Sequence, residues 1–447
     1  MSLERQYQET IQYLFDLQKH GVKLALANSI SLMEVMCNPH RQFPSVHVAG
    51  TNGKGSTSAF IAAILRSAGY RVGLYTSPHL VSFTERIQIN DRQISERKVV
   101  ELAQRVRQGY QRLLSGPGVI SPTFFEVTTA MAFSYFAEER VDFAVVEVGM
   151  GGRLDSTNVI TPLVSVITNI DREHTEFLGD TLEKIAHEKA GIIKPGVPVV
   201  TGVEQPEVVM IVESEAATKR APVYRLERDF KPENVVSRDK QLFDYRGISS
   251  SFEKITIGML GRYQVDNACL ALAAIECVCA SGVAVDGAAV RRGLEQTHWQ
   301  GRLERIARKP DIYLDGAHNP ASMKKLASTV RILKSDYKRI ILVIGILSDK
   351  DYVGIIEEIV PLVEHVIVTK PQYARAMDVQ ALASAIQSFQ RSLDIAENVA
   401  GAVAKAREIS SSDDLVLITG SLYVVGEARA LFFPQPASND AFSGLKG

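Results

Sequence analysis

Strand-length runs of β-branched and aliphatic residues alternate along this chain with longer stretches whose apolar residues recur at helical spacing. Ser45-Val46-His47-Val48-Ala49 is followed by a glycine-rich turn over 50–55 and a helical segment over 56–68, and residues 71–76 open the next apolar run. Phe143-Ala144-Val145-Val146-Glu147-Val148 and Val164-Ser165-Val166-Ile167-Thr168 read as central strands, and 125–138 as a helix. Parallel strands need a long crossover, and a helix supplies it. The pattern therefore predicts an α/β fold with a mostly parallel sheet.

The alternation breaks twice. Between 224 and 259 the segments become short, polar and strand-like, which predicts a small antiparallel excursion before helix returns over 263–280. Near His298-Trp299-Gln300-Gly301 the helical pattern stops at an expected linker. Strands over 312–315, 340–345, 366–369 and 415–419, with a helix over 321–333, then predict a second, smaller α/β domain. The expected division is a first domain over 1–297, a second over 298–435 and a loose polar tail over 436–447.

Composition excludes several classes of partner. Fifty Lys and Arg against 51 Asp and Glu leave a formal charge of −1 with no long basic run, so no nucleic-acid partner is expected. The longest apolar runs are strand-length, and no membrane span is expected. Residues 1–15 mix charges with apolar residues and lack the layout of a signal peptide. Cys37, Cys269, Cys277 and Cys279 form no Cys-x-x-Cys pair and read as reduced thiols, consistent with a cytoplasmic protein. The expected partners are small anions.

The strongest chemical signal is Gly50-Thr51-Asn52-Gly53-Lys54-Gly55-Ser56-Thr57. A strand ends, glycines permit an unusual backbone path, and a helix begins. Successive N–H groups then face one concavity, and the helix N-terminus adds partial positive charge. Lys54 is placed to reach β- and γ-phosphates, and the Ser56 hydroxyl to meet a phosphate or a magnesium ion. The ordinary phosphate-loop pattern has a glycine six positions before the lysine, where Val48 stands here. A chance Gly-Lys-Gly turn is the plain alternative.

Seven further motifs follow in order: TSPHL (76–80), TFFE (123–126), EVGMGGRLDSTN (147–158), HEKAGI (187–192), GRYQVDNA (261–268), GRLE (301–304) and DGAHNP (315–320). With GTNGK, they make the chain resemble the folylpolyglutamate/dihydrofolate synthases, the folate branch of the Mur ligase superfamily, over nearly its whole length. The resemblance implies a phosphate-loop ATPase domain followed by a smaller Rossmann-like domain on the glutamate side. About fifty residues precede Lys54, too few for the nucleotide-sugar-binding domain of the cell-wall ligases, which favours the folate branch.

Glu147 ends a strand at the edge where open α/β sheets bind ligands, a glycine-rich loop follows it, and His174 follows another strand end. The resemblance implies that Ser77, Glu147 and His174 hold magnesium, one of two such ions, with histidine an atypical ligand for that ion. It also implies that Lys189 is carbamylated; spacing alone would make it a surface helical lysine. Gly53, Lys54, Gly55, Ser56, Asn267, Arg302 and Asp315 match ATP-contacting positions, and Arg302 offers a planar cationic fork for phosphate. Lys54, Lys189 and His318 are the candidate catalytic residues, with a turn role as the alternative for His318.

On the substrate side, Thr123, Phe124, Phe125 and Glu126 with Leu154, Asp155 and Ser156 match the dihydropteroate-contacting pattern. Adjacent helical residues cannot both face one pocket, so one of the two phenylalanines is expected in the core. The loop after TSPHL, with His79, Leu80 and Phe83, either packs or covers a flat ligand. The implied reaction uses ATP to convert a pteroate or folate carboxylate into an acyl phosphate, which the amine of L-glutamate attacks. Both dihydropteroate and reduced folates are expected substrates of a monomer. The alternatives are a Mur-type ligase for another carboxylate and a regulatory ATPase without ligase chemistry.

Overall fold

The computed structural model describes residues 2–21, 25–114, 121–237 and 240–434; the expected tail over 436–447 lies outside them. The chain divides into two compact units. The first comprises Met1–His79, Phe83–Gly258 and Gln264–His298, and the second Leu80–Ser82, Met259–Tyr263 and Trp299–Gly447. A single break near 298 thus misses two short pieces that belong with the second unit. Leu80 and Val81 show why: both are buried among Ile312, Leu314 and Val416, so an apolar loop joins the core that can cover it, whatever its place in the chain.

In the first unit the strands are β1 (Ser45–Ala49), β2 (Val72–Tyr75), β3 (Ile87–Ile89), β4 (Arg92–Gln93), β5 (Phe143–Glu147), β6 (Val164–Ile167), β7 (Val199–Thr201) and β8 (Val223–Arg225). They form one sheet in the order β4-β3-β2-β5-β1-β6-β7-β8. From β2 to β8 every neighbouring pair is parallel, while β3 and β4 add an antiparallel edge. β1, β5 and β6 are buried at every residue, as central parallel strands covered on both faces should be. The 224–259 excursion is a three-stranded antiparallel sheet of β9 (Lys231–Ser237), β10 (Gln241–Arg246) and β11 (Ser251–Ile257). Its residue Tyr224 instead lies in β8, at the edge of the main sheet.

The helices of this unit are α1 (Leu3–Asp16), α2 (Ala27–Val35), α3 (Lys54–Ser67), α4 (Glu96–Leu114), α5 (Phe124–Glu138), α6 (Thr175–Leu178), α7 (Leu182–Ala190), α8 (Pro206–Lys219), α9 (Arg262–Ala280) and α10 (Gly287–Gln296). α3 is buried at every position from Gly55 to Leu65, so its small residues are packing groups. α9 alone among the described helices is long and apolar enough to cross a membrane, but most of it is buried, with Cys269 and Cys277 inside. It is a core helix of this fold.

The second unit is a six-stranded sheet in the order β12-β13-β17-β14-β15-β16, formed by β12 (Glu304–Ala307), β13 (Asp311–Leu314), β14 (Ile340–Ile344), β15 (His365–Val368), β16 (Ser392–Ile395) and β17 (Leu415–Thr419). All pairs are parallel except β12 with β13. Its helices are α11 (Pro320–Leu333), α12 (Tyr352–Ile359), α13 (Val379–Gln387), α14 (Val399–Ile409) and α15 (Leu422–Phe432). α11 starts where Asn319 and Ser322 form a reciprocal cap with Pro320 in the first turn, which explains why the DGAHNP turn ends in a helix.

Candidate active site

The loop between β1 and α3 takes a path that only glycine permits at two points. Gly50 has φ 147°, and a Cβ there would lie 1.9 Å from Thr168 Oγ1; Gly53 has φ 84°, and a Cβ would lie 2.5 Å from Asn267 Oδ1. Gly53 is also the N-cap of α3, with no side-chain cap, so the first N–H groups of the helix are left for another acceptor. The helix starts at Lys54, two residues before the expected position. Ser56 is buried in its first turn, and Asn267, held by a 2.9 Å bond from its Nδ2 to Gln264 Oε1, stands against the loop at Gly53.

A second strand end braces the loop. Asn52 N–H donates to Asn169 Oδ1 (2.9 Å), and Asn169 Nδ2 and Thr168 Oγ1 donate to Asn52 O (3.0 and 2.7 Å). Thr51 Oγ1 donates to Asp171 O and accepts from Asp171 N–H, at 3.1 and 3.0 Å. The phosphate loop is therefore preshaped by the segment after β6.

Two lysines converge on one carbonyl. Lys54 Nζ donates to Gly50 O (3.1 Å) and Thr51 O (2.9 Å), and Lys189 Nζ donates to Gly50 O at 2.6 Å. Lys189 is 3% exposed, so the surface position suggested by spacing is not where it lies. Burial and then the charge of Lys54 lower its pKa from 10.5 to about 7, against the opposite pull of Glu173, Asp155 and Asp171. A lysine in that state carries a large fraction of neutral amine near neutral pH.

Glu147, 4% exposed at the end of β5, accepts a bond from Ser77 N–H at 3.1 Å, so two of the three candidate metal ligands meet. His174 is half-buried at the N-cap of α6, in the left-handed region (φ 52°, ψ 41°). Among the described residues no group of three His, Cys, Asp or Glu side chains is arranged to hold a metal ion. The oxygen donors of Glu147 and Ser77 nevertheless suit magnesium, which favours such ligands.

The candidate substrate residues divide by role. Phe124 is the core phenylalanine: it is buried, stacks on Phe15 (5.7 Å between centroids, 11° between planes) and lies under the Arg86 guanidinium. Phe125 is half-buried against Tyr75 and Gly149. Thr123 and Glu126 form a capping box, with Thr123 N–H donating to Glu126 Oε2 at 2.7 Å, so this carboxylate starts α5. Asp155 accepts from Met150 N–H, Thr157 N–H and Thr157 Oγ1, which folds the loop that presents Leu154 and Ser156. His79, Leu80 and Phe83 pack: all three are buried, and Arg86 Nε donates to His79 Nδ1 at 2.7 Å.

In the second unit, Asp315 is 4% exposed and accepts from Leu303 N–H (2.8 Å), Ala317 N–H (2.9 Å) and Tyr263 Oη (3.4 Å). Burial raises its pKa, while Arg302 and these donors oppose the rise. Arg302 is half-buried, with Nη1 donating to Gly301 O at 3.2 Å. His318 Nδ1 lies 2.7 Å from Gly316 O, and the His318 backbone N–H donates to Ser322 Oγ at 3.2 Å.

A Mur ligase middle domain matches residues 48–275, and a Mur ligase glutamate ligase domain matches residues 301–422. The dihydrofolate synthase/folylpolyglutamate synthase of Bacillus subtilis is 37% identical over 428 residues, covering 95% of this chain and 98% of the relative. The chain belongs to this family of Mur ligases. Its Mycobacterium tuberculosis member is 35% identical over 459 residues, 95% of this chain and 94% of the relative. Two solved structures share the fold: the folylpolyglutamate synthase of Thermotoga maritima (TM-score 0.85, 36% identity, 97% and 98% of the two chains) and that of M. tuberculosis complexed with ADP (TM-score 0.88, 34% identity, 96% and 100%).

In this member of the folylpolyglutamate/dihydrofolate synthase family, sequence reasoning missed the residues that brace the site. Thr168, Asn169 and Asp171 read only as a strand end, although a polar cluster at a sheet edge beside a phosphate loop was an available signal. His47 read as one residue of a buried strand. It is fully buried, with Nε2 2.8 Å from Thr157 Oγ1, and burial followed by Lys194 lowers its pKa to about 3. As a neutral imidazole it links β1 to the loop that Asp155 organises.

Proposed function

We propose that this chain is an ATP-dependent ligase that joins L-glutamate to folates, acting on dihydropteroate and on reduced folates. The observation that carries the reading is the preshaped phosphate loop with Lys54 and the buried, low-pKa Lys189 on one carbonyl, in a chain of this family. A substrate carboxylate oxygen attacks the γ-phosphorus, and the bond to the ADP leaving oxygen breaks. The glutamate amine then attacks the acyl carbon, phosphate departs, and the nitrogen loses a proton. Lys54 and the open N-terminus of α3 stabilise charge on the phosphoryl oxygens. Gly53, Gly55 and Ser56 shape that end of the nucleotide site, with Asn267, Arg302 and Asp315 as further ATP contacts.

Ser77, Glu147 and His174 would hold Mg2+, which when bound offsets phosphate charge. Lys189 fits carbamylation because the reaction needs a free amine: the nitrogen adds to carbon dioxide and releases one proton, and an anion replaces the cation beside Lys54. Phe125, Leu154 and Ser156 face the pterin side, with Thr123, Glu126 and Asp155 shaping the elements that present them. His318, in the turn after Asp315, completes the catalytic set with Lys54 and Lys189.

The test is ADP release with MgATP, L-glutamate and either dihydropteroate or tetrahydrofolate. Release should require both the amine and the carboxylate substrate, and Lys54→Ala should abolish it in a folded protein. ATP turnover that continues when either substrate is omitted would instead describe an ATPase without ligase chemistry.

A further inference from the structure

A cavity of about 550 Å³ opens in the first unit between α2, the turn after it, α4 and α5. It lies at the C-terminal end of α5, whereas Thr123, Phe125 and Glu126 stand at the other end of that 15-residue helix, about 20 Å away. None of the residues assigned above to nucleotide, metal or pterin lines it. Its size falls within the range of small-molecule sites.

The walls differ in chemistry. Val35, Met36, Pro39 and Ala137 supply an apolar surface, while Arg105, Gln108 and Arg112 recur at three- and four-residue spacing along one face of α4. The two arginines stand two turns apart, about 10 Å along the helix. Of the lining residues one is a carboxylate, Glu138, and it is engaged by Lys98 (2.7 Å) and by Arg105. The wall is therefore cationic in balance. Ser134, 5% exposed, has its Oγ buried with no hydrogen-bond partner among the described residues, and the same holds for Arg105 Nε. Two buried donors bordering one cavity are groups that a bound acceptor would satisfy.

We infer that this cavity is a second ligand site, for a small organic carboxylate with a flat apolar body. The carboxylate sits on the Arg105 and Arg112 side with Ser134 Oγ as a donor, and the body lies against Val35, Met36 and Pro39. A planar guanidinium fork matches a carboxylate, and the apolar wall selects against small hydrated anions. The site borders the C-terminal end of the helix whose first turn carries the candidate substrate residues. The inference does not depend on the ligase reading.

The exposed Cys37 thiol lines the cavity and gives a direct readout. The rate of Cys37 alkylation by iodoacetamide is followed by peptide mass spectrometry on the full chain, with 2-naphthoate as the probe and 2-naphthol as its neutral counterpart. Saturable protection of at least fivefold by naphthoate and not by naphthol is expected. Arg112→Glu should remove it, Arg112→Met should weaken it, and both should melt like the parent because Arg112 is exposed. No protection by millimolar naphthoate, equal protection by naphthol, or full protection retained in a folded Arg112→Glu protein would each overturn the inference.

Discussion

Replacing Lys189 by methionine tests the electrostatics of the site most directly. Lys189 is buried, and its pKa falls from 10.5 to about 7. At about 1.4 kcal/mol per unit, holding the charged form in the fold costs on the order of 5 kcal/mol relative to the unfolded chain. The folded pKa is the lower one, so the penalty is fully present below pH 7, where both states are protonated. Between 7 and 10.5 the unfolded chain binds a proton that the native chain does not, so stability rises with pH by up to about 1.4 kcal/mol per unit. Methionine keeps comparable length and carries no proton, but it loses the donor to Gly50 O, worth about 1 kcal/mol. Lys189→Met should therefore be several kcal/mol more stable than the parent at pH 6, and the gap should shrink by about 3 kcal/mol by pH 9. Urea unfolding in carbon-dioxide-free buffer measures this. Added bicarbonate should change the parent's profile and leave the variant's alone, and ligase activity should vanish in the variant. A stability gap that stays constant from pH 6 to pH 9 would mean that Lys189 is a charged, paired lysine, and the reasoning would be wrong.

Three other substitutions probe the frame of the site. Gly50→Ala places a methyl group 1.9 Å from Thr168 Oγ1, so we expect a loss of about 2–4 kcal/mol in urea unfolding and no ATP binding by calorimetry. Asn169→Ala removes both side-chain bonds to Asn52 and should raise KM for ATP about tenfold with a smaller change in kcat; an unchanged KM would show that the loop holds its own shape. Glu126→Ala deletes one half of the capping box and should cost about 1–2 kcal/mol of stability while leaving ATP affinity intact, as read by melting and by calorimetry.

Much of the fold was legible because its signals are local. The apolar runs of β1, β5 and β6 and the glycine-rich turn mark buried parallel strands and a phosphate loop without reference to distant residues. Boundaries moved by one or two residues, as at α3, where Gly53 rather than the loop's end caps the helix. Lys189 was less legible. Its neighbours in sequence are those of a surface helix, and its burial comes from α7 packing so that the side chain reaches Gly50 O, 139 positions away. The brace from Thr168, Asn169 and Asp171 was equally hidden, because it depends on β6 lying next to β1 in the sheet.

The sequence by itself determined the class of fold, the nucleotide loop and, through eight ordered motifs, the family. These follow from periodicity and from backbone freedom at particular glycines, both of which are properties of short segments. Only the tertiary structure decided which groups share a charge environment. It showed that Phe124 belongs to the core, that Glu126 and Asp155 organise backbone, that Leu80 joins the second unit, and that two lysines crowd one carbonyl. Desolvation and Coulomb interaction depend on distance through space, which the order of residues along the chain does not record.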